Sequence, residues 1–503
     1  MSSDPDSRAR PSVFATSSTP PPSQAQSPFA GARVVVMGLG LHGGGLEAAR
    51  YLAKAGAEVT VTDLRDEKIL APSIAKLEGL PLRYVLGRHE MDDFSSADMV
   101  VKNPAVKPDS PFLAVARRIE TDLSIFLEAC PARISAVTGS KGKSGTSSAI
   151  HWALKRAGRR AFLGGNITVS PLVFLEALLP GDEVVLELSS WQLGDLKGRL
   201  RADGSPLLKP RVAVITAIMS DHQDRYGSME AYVADKRLIY AGQDEADATI
   251  VENDAWGRSF AEETRGRVLY YSASPLPPDL EGGWLEPVGP AGFMASPCRG
   301  MAFFANTPSP TPIPVELVPA RVLTPGAHQK KNLLAAALAL SELGLDPESV
   351  RAGLESYPGI EHRLEFFHEA EGVRYYNDSA ATIPEAAAAA LDAFETPPIL
   401  VTGGTDKSLD FSPLALAAKR AKTIILLAGT GSAKLAVLLE KAGVDYQGPF
   451  DKLEAAVSAA VAATHPGDIV VLSPGCTSFG MFLNEFDRGT KWKKAIADAT
   501  AQG

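Results

Sequence analysis

The run Gly139-Ser140-Lys141-Gly142-Lys143-Ser144 has residue types in an order that could do chemistry. A small, glycine-rich turn lets backbone N–H groups surround an anion, and a helix starting behind it adds its dipole. Lys143 would reach the terminal phosphates of a nucleoside triphosphate, and the Ser144 hydroxyl would sit on Mg²⁺. The loop is shorter than the common G-x-x-x-x-G-K-[ST], because Val137 stands five positions before Gly142. The apolar stretch 134–137 reads as a strand, and 147–157 can be helical. A tight turn with solvated lysines is the plainer alternative; strand, loop and helix in that order favour a nucleotide.

Phosphoryl transfer also needs hard ligands for the metal and positive charge around the phosphates. Glu187 ends a second apolar strand over 183–188, expected beside the phosphate-loop strand and so across from Ser144. A glutamate that merely closes a strand is the alternative. A third strand over 212–218 delivers Asp221-His222-Gln223-Asp224-Arg225-Tyr226. His222 could bind metal through a neutral ring nitrogen, or be structural. Lys236 lies on a helix-like stretch and, unmodified, reads most simply as a surface lysine.

Nearer the start, 33–37 reads as a buried strand, followed by Gly38-Leu39-Gly40-Leu41-His42-Gly43, a helix over 46–54 and a strand over 58–62 ending at Asp63. This is a βαβ unit with G-x-G-x-x-G in place and an acidic residue about 20 positions on. It suits a dinucleotide, any diphosphate at a helix N-terminus, or simply close helix–strand packing. The loop Asn103-Pro104-Ala105-Val106 follows another strand, over 99–102.

These segments need a large scaffold. The chain has 503 residues, room for about three domains of ~150 residues. A 45% hydrophobic, 22% charged composition is that of a globular protein with sizeable cores. A net charge of -9 argues against a nucleic-acid partner held by its backbone. Cys130, Cys298 and Cys476 are far apart, which disfavours a disulfide framework or cysteine-ligated zinc and fits a reducing cytoplasm. No apolar run reaches the about 18 residues of a membrane span, so no membrane partner is expected.

Strands alternating with helices imply α/β architecture with mostly parallel, doubly wound sheets. The expected organisation is a disordered Ser/Pro-rich leader (1–29), a Rossmann-like first domain (30–131), a central ATP-binding domain (132–325) and a Rossmann-like third domain (326–503). Residues 273–325, rich in Pro and Gly, are expected to be irregular with short β-like runs, then a linker near Thr324-Pro325-Gly326. The third domain opens with a helix over 332–343. Three of its strands end in Asn377-Asp378-Ser379, Gly403-Gly404-Thr405-Asp406-Lys407 and Ser473-Pro474.

The phosphate loop, Glu187-Leu188-Ser189-Ser190-Trp191-Gln192-Leu193, the Asp221–Tyr226 run, Asn377-Asp378-Ser379, the Gly403–Lys407 run and Leu472-Ser473-Pro474-Gly475-Cys476-Thr477-Ser478 come in an order that resembles the Mur ligases. The resemblance spans residue 30 to the C-terminus. It implies three domains: one for the UDP end of the substrate, a P-loop ATPase-type centre, and one that closes with the amino acid. Within the family the chain is most similar to the branch joining glutamate to UDP-N-acetylmuramoyl-L-alanine in peptidoglycan synthesis, with ATP and Mg²⁺, as a monomer.

The resemblance assigns Gly139, Ser140, Lys141, Gly142, Lys143 and Ser144 to ATP, with Asn332 and Asp378 on the nucleotide and Arg363 on its phosphates. Ser144, Glu187 and His222 become metal ligands. Lys236 falls where the family carries a carbamylated lysine, a carboxylate that helps hold a second Mg²⁺. Asn166, Ser189 and Gln192 would position the muramoyl group; Leu41, His42, Asp63 and Arg65 the uridine diphosphate; Thr382, Lys407 and Ser478 the glutamate. Lys143, His222, Lys236 and Arg363 would carry the reaction.

Four positions depart from the family pattern. Gly145 stands where a hydroxyl residue is usual, Gln329 where Asn is usual, and Ala380 where glutamate-adding members have Lys. In Asn484-Glu485-Phe486 the aromatic comes one residue late. The last two leave L-glutamate as an alternative to D-glutamate. Folate polyglutamylation and cyanophycin synthesis keep the chemistry with other acceptors. A dehydrogenase built on the first βαβ unit would leave Lys143, Glu187 and His222 without work, and a non-catalytic regulator would not need them.

Overall fold

The computed structural model describes residues 27–41, 43–167, 169–287, 298–305 and 314–501. Residues 27–29, ahead of the expected start at residue 30, are among those described: Phe29 sets its ring edge-on against Tyr51, 6.1 Å between centroids. The rest of the expected leader, 1–26, and His42 lie outside the described residues.

Three sheets organise the molecule. The first contains β1 (Arg33–Met37), β2 (Glu58–Asp63), β3 (Leu82–Leu86), β4 (Met99–Lys102) and β5 (Ile119–Glu120), all parallel, in the order β3-β2-β1-β4-β5. Strand order reverses at β1, which opens a crevice beyond the carboxyl ends of β1 and β4. The glycine run after β1 and Asn103 after β4 both lie there.

The second sheet contains β6 (Arg133–Thr138), β7 (Ala161–Gly165), β8 (Glu183–Glu187), β9 (Val212–Ile215), β10 (Ala248–Glu252), β11 (Arg267–Ser272), β12 (Gly282–Pro287), β13 (Cys298–Phe303) and β14 (Val315–Val318). Their order is β14-β13-β12-β11-β10-β9-β6-β8-β7. The phosphate-loop strand β6 lies between β8 and β9, parallel to both, with Val137 opposite Glu187 and Thr138 opposite Ile215. β8 is wholly apolar in its middle and β6 nearly so, with the small buried Ser135 its one polar interior residue, as suits strands covered on both faces.

Two expectations are corrected here. The stretch expected to be irregular with short β-like runs pairs those runs as β12, β13 and β14, which extend the sheet; β12–β13 and β13–β14 pair antiparallel. Short segments broken by Pro and Gly carry no periodicity of their own, and their structure comes from distant partners. The helix Ala327–Glu342, expected to open the third domain, packs into the central core. Every residue from Leu333 to Leu340 is buried, among Val137, Ala149, Ala153, Val214 and Leu285. A helix apolar on all sides must be enclosed on all sides, and the core formed by the central sheet and the helix Lys143–Arg156 encloses it. The helix Pro347–Glu355 joins the same core through Val350 and Leu354.

The third sheet contains β15 (Glu365–Ala370), β16 (Val373–Asn377), β17 (Ile399–Thr402), β18 (Thr423–Leu427), β19 (Gln447–Phe450) and β20 (Ile469–Leu472), in the order β15-β16-β20-β17-β18-β19. Only the edge pair β15–β16 is antiparallel. β16, β20 and β17 are neighbours, so the three polar strand ends read from the sequence meet at one end of one sheet. The first and second sheets share a core: Leu46, Phe126 and Leu123 pack in one cluster with Leu172, Leu186 and Leu193. Buried polar pairs add to it. Lys102 Nζ donates to Asp195 Oδ2 at 2.7 Å, and Ser170 Oγ donates to Asp122 Oδ2 at 2.8 Å.

Candidate active site

The turn after β6 is forced by its glycines. Gly142 has φ +94°, a left-handed value that favours glycine, and it caps the helix Lys143–Arg156. A Cβ there would also collide with Asn332 Oδ1. Helix formation starts at Lys143, earlier than the expected 147, so Lys143 and Ser144 occupy its first turn, where free N–H groups point outward.

A cleft of about 640 Å³ opens over this turn. The central domain contributes Ser140 to Gly145, Asn166, Glu187, Gln329 and Asn332 to its wall; the far wall includes Arg363, Leu364, Asp378 and Ala380. The residues expected on ATP, all but Gly139, therefore line one cavity, although they come from two domains.

Lys143 folds back on the loop and donates to Gly139 O (2.9 Å) and Ser140 O (3.1 Å). Burial lowers its pKa, and the nearby Glu187 and Asp221 charges partly restore it. Glu187 is 1% exposed. Its Oε1 accepts from Asn166 Nδ2 at 3.0 Å, while its Oε2 is buried with no hydrogen-bond partner. A buried carboxylate oxygen left unpaired is costly, and it suits a cation arriving from the cleft. The donor set of Glu187 and Ser144 is the hard oxygen type that Mg²⁺ prefers.

Lys236 is no surface lysine. It is 1% exposed, donates to Gly139 O at 2.9 Å and lies 4.5 Å from the centre of the Tyr232 ring. Burial, with Lys143 adding repulsion, lowers its pKa to about 7. Tyr232 was missed by sequence reasoning. It stands four residues before Lys236 on the helix Met229–Lys236, a spacing that puts both on one face, and its hydroxyl lies 3.0 Å from Ser140 Oγ. His222 is 44% exposed, in a left-handed conformation with φ 52°. It packs beside Trp191 and Tyr232, at 5.1 and 6.2 Å between ring centres, and does not line the cleft with Lys143 and Glu187. β9 stops at Ile215, before the expected 218, and Thr216 Oγ1 donates back to Thr138 O at 3.0 Å.

Asp378 is buried, accepts from Ser473 Oγ at 2.6 Å and from Leu364 N at 3.2 Å, and its pKa is raised by burial to about 7. Arg363 sits between His362 (φ 64°) and Leu364 (φ 43°), both left-handed. His362 Nδ1 meets Asn377 Nδ2 at 2.9 Å, which ties this strained turn to the end of β16.

Ser189 and Gln192 satisfy each other. Ser189 caps the helix Ser190–Gly194, accepting from Gln192 N at 3.2 Å, and Gln192 Oε1 accepts from Ser189 N at 3.0 Å. Asp63 accepts from Gly40 N at 3.1 Å and from Arg65 Nη2 at 3.0 Å. Burial pushes its carboxyl up, but the Arg65 bonds outweigh that and leave it below the usual range. Leu41 is 38% exposed beside this pair's loop. Around the third sheet's end, Thr405 N donates to Thr477 O at 3.2 Å and Gly475 N to Ala381 O at 2.9 Å, stitching the loops that carry Lys407, Ser478 and Thr382. Lys407 is exposed and reaches over the Phe479 ring at 5.9 Å; Ser478 is buried. Beneath them the buried Arg488 donates to Ser379 Oγ (2.9 Å), Ser379 O (2.9 Å) and Cys476 O (3.1 Å), a tie the sequence did not suggest.

A phosphate loop, an unpaired acidic oxygen beside it and a far wall from another sheet define a nucleotide-using enzyme assembled from three α/β bodies. Family models agree segment by segment: Mur ligase MurD-like, N-terminal domain, over residues 32–124; Mur ligase middle domain over 137–289; and Mur ligase, glutamate ligase domain, over 362–476. The chain belongs to the Mur ligase family. The UDP-N-acetylmuramoylalanine–D-glutamate ligase of Treponema pallidum (strain Nichols) is 41% identical, the match covering 94% of this chain and 99% of that one. The enzyme of that name from Roseiflexus sp. (strain RS-1) is also 41% identical, over 94% and 100%. Among solved structures, UDP-N-acetylmuramate-alanine ligase of Thermotoga maritima shares the fold at TM-score 0.52 and 19% identity, covering 94% of this chain and 99% of that one. A UDP-N-acetylmuramoyl-L-alanyl-D-glutamate–2,6-diaminopimelate ligase does so at 0.53 and 18%, with 90% of each chain covered.

Proposed function

We propose that this chain is the ATP-dependent ligase that adds D-glutamate to UDP-N-acetylmuramoyl-L-alanine in peptidoglycan precursor synthesis. The observation that carries the reading is the shared cleft, with Lys143, Ser144 and the unpaired Glu187 oxygen facing Arg363 and Asp378. Identity of 41% over nearly the whole length to ligases named for D-glutamate supports that enantiomer.

Lys143 and the loop amides hold the triphosphate, and Arg363 screens it from the other side. Asn332 and Asp378 hold the rest of the nucleotide. Leu41, His42, Asp63 and Arg65 take the uridine diphosphate, and Asn166, Ser189 and Gln192 place the muramoyl-alanine carboxylate. That carboxylate oxygen attacks the γ-phosphorus and ADP departs. The amine of glutamate, held by Thr382, Lys407 and Ser478, then attacks the acyl carbon, and phosphate leaves with the bonding pair. The protein supplies placement and screening of negative charge.

Ser144 and Glu187, which both line the cleft, would hold Mg²⁺, which supplies charge neutralisation at the phosphates; His222, outside that lining, is left without a place in this ligand set. Lys236, with a pKa of about 7, has a substantial neutral fraction near pH 7. That amine can add CO₂, losing a proton to become a carbamate. ¹³C-bicarbonate should give a carbamate carbon signal in the unaltered chain and none in Lys236→Ala; no signal in either would remove the modification. No helix among the described residues is long and apolar enough to cross a membrane. We place the enzyme in the cytoplasm as a monomer, consistent with three free cysteines.

The test is phosphate release with UDP-N-acetylmuramoyl-L-alanine, ATP and each glutamate enantiomer in parallel. Turnover should require all three substrates and favour D-glutamate. Turnover with L-glutamate alone would transfer the assignment to that enantiomer, and none with either would end it.

A further inference from the structure

Gly145 has no backbone reason to be glycine. It lies inside the helix Lys143–Arg156 and, unlike Gly142, its φ is not left-handed. Within a helix, glycine is less stable than alanine. What the missing side chain leaves is space. A Cβ on Gly145 would come 3.1 Å from Gln329 Oε1, tighter than ordinary contact, and 3.4 Å from Asn332 Nδ2, at the near edge of it.

Gln329 and Asn332 lie three residues apart on the helix Ala327–Glu342, so their carboxamides meet on one face. Asn332 Nδ2 donates to Gln329 Oε1 at 3.1 Å. Asn332 Oδ1 is thereby turned toward Gly142, at the front of the phosphate loop. Gly145, Gln329 and Asn332 all line the cleft.

We propose that Gln329 is a positioning residue for the nucleotide: seated in the space that Gly145 leaves, it fixes the orientation of the Asn332 carboxamide over the phosphate loop. A free asparagine amide can present either its oxygen or its nitrogen to a ligand; the bond to Gln329 removes that choice before ATP arrives. Gly145 and Gln329 therefore act as a matched pair, and neither can change alone without disturbing Asn332.

The inference rests on reading the cleft as the nucleotide site, and the two are tested separately. Titrating the unaltered full-length chain with ADP and Mg²⁺ tests the site itself; absence of binding removes the nucleotide reading. Steady-state kinetics then test the pair. Gln329→Ala should raise KM for ATP about tenfold, the loss of one hydrogen bond, with kcat and the KM values of the other substrates little changed. Gly145→Ser should do the same by displacing the Gln329 amide. In the double variant Gly145→Ser/Gln329→Asn the shorter amide withdraws from the new side chain, and KM for ATP should return to within about threefold of the unaltered chain. If Gly145→Ser fails to fold, Gly145→Ala adds the Cβ alone and is read the same way, alone and with Gln329→Asn. Additive losses in the double variant, or a change confined to melting temperature with KM for ATP unmoved, would overturn the pairing.

Discussion

Lys236 and Asp378 are driven to a pKa of about 7 from opposite directions, the amine down and the carboxyl up, both by burial. The consequences for stability have opposite signs. Between 3.8 and about 7 the folded chain holds the Asp378 proton that the unfolded chain has lost, so its contribution falls as pH rises through that window. Between about 7 and 10.5 the unfolded chain holds the Lys236 proton that the folded chain has lost, so stability rises with pH there. Asp378→Asn should remove the first slope and leave the second, as read by urea unfolding from pH 4 to 10. A slope below pH 7 unchanged in that variant would mean that another group titrates. Lys143 is the complementary case: its amine already bonds two loop carbonyls and points along the cleft wall. Lys143→Ala should lower kcat by about 10²–10³, the loss of one preorganised donor, while the melting temperature moves little; near-normal turnover would remove Lys143 from the reaction.

At the scale of elements, strand–loop–helix segments were legible and long-range pairings were not. β6, its turn and its helix could be read because an apolar run, glycines and a lysine–serine pair are local signals. The placing of Glu187 beside that loop followed from the rule that neighbouring parallel strands present their carboxyl ends together, and β8 does lie next to β6. What the sequence hid was decided elsewhere in the chain. β12 to β14 exist because β11 offers an edge, and the apolar run Leu333–Leu340 of the helix Ala327–Glu342 belongs to whichever core can enclose it. Burial of Lys236 was equally invisible, since its stretch reads like any amphipathic surface. The short helix Ser190–Gly194 depends on its cap: Ser189→Ala should cost about 1 kcal/mol in unfolding free energy. If Ser189 serves only as a cap, KM for the muramoyl substrate will not move; a rise in that KM beyond the stability loss would give it the positioning role as well.

Over the whole molecule, the two junctions differ in kind. The first and central sheets are joined by a continuous apolar core and by Lys102–Asp195, both partners less than a tenth exposed. Arg199 strengthens the join, donating to Ile119 O at 2.7 Å. The central and third sheets instead face each other across the cleft. Asp195→Ala should destabilise the protein by about 3–5 kcal/mol, because it strands the Lys102 charge in an apolar seam. Lys102→Met/Asp195→Leu should recover most of that loss in urea unfolding, and failure to do so would show that the pair contributes more than mutual neutralisation.

The left-handed residues on either side of Arg363 have a consequence for how the enzyme must open. With His362 and Leu364 held in conformations that side chains seldom tolerate, and His362 bonded to Asn377, the segment has no slack to bend. The Arg363 backbone is a fixed post from which only the side chain can swing. If Arg363 serves the triphosphate as proposed, that post can approach or leave the cleft only with the third sheet, as a single block.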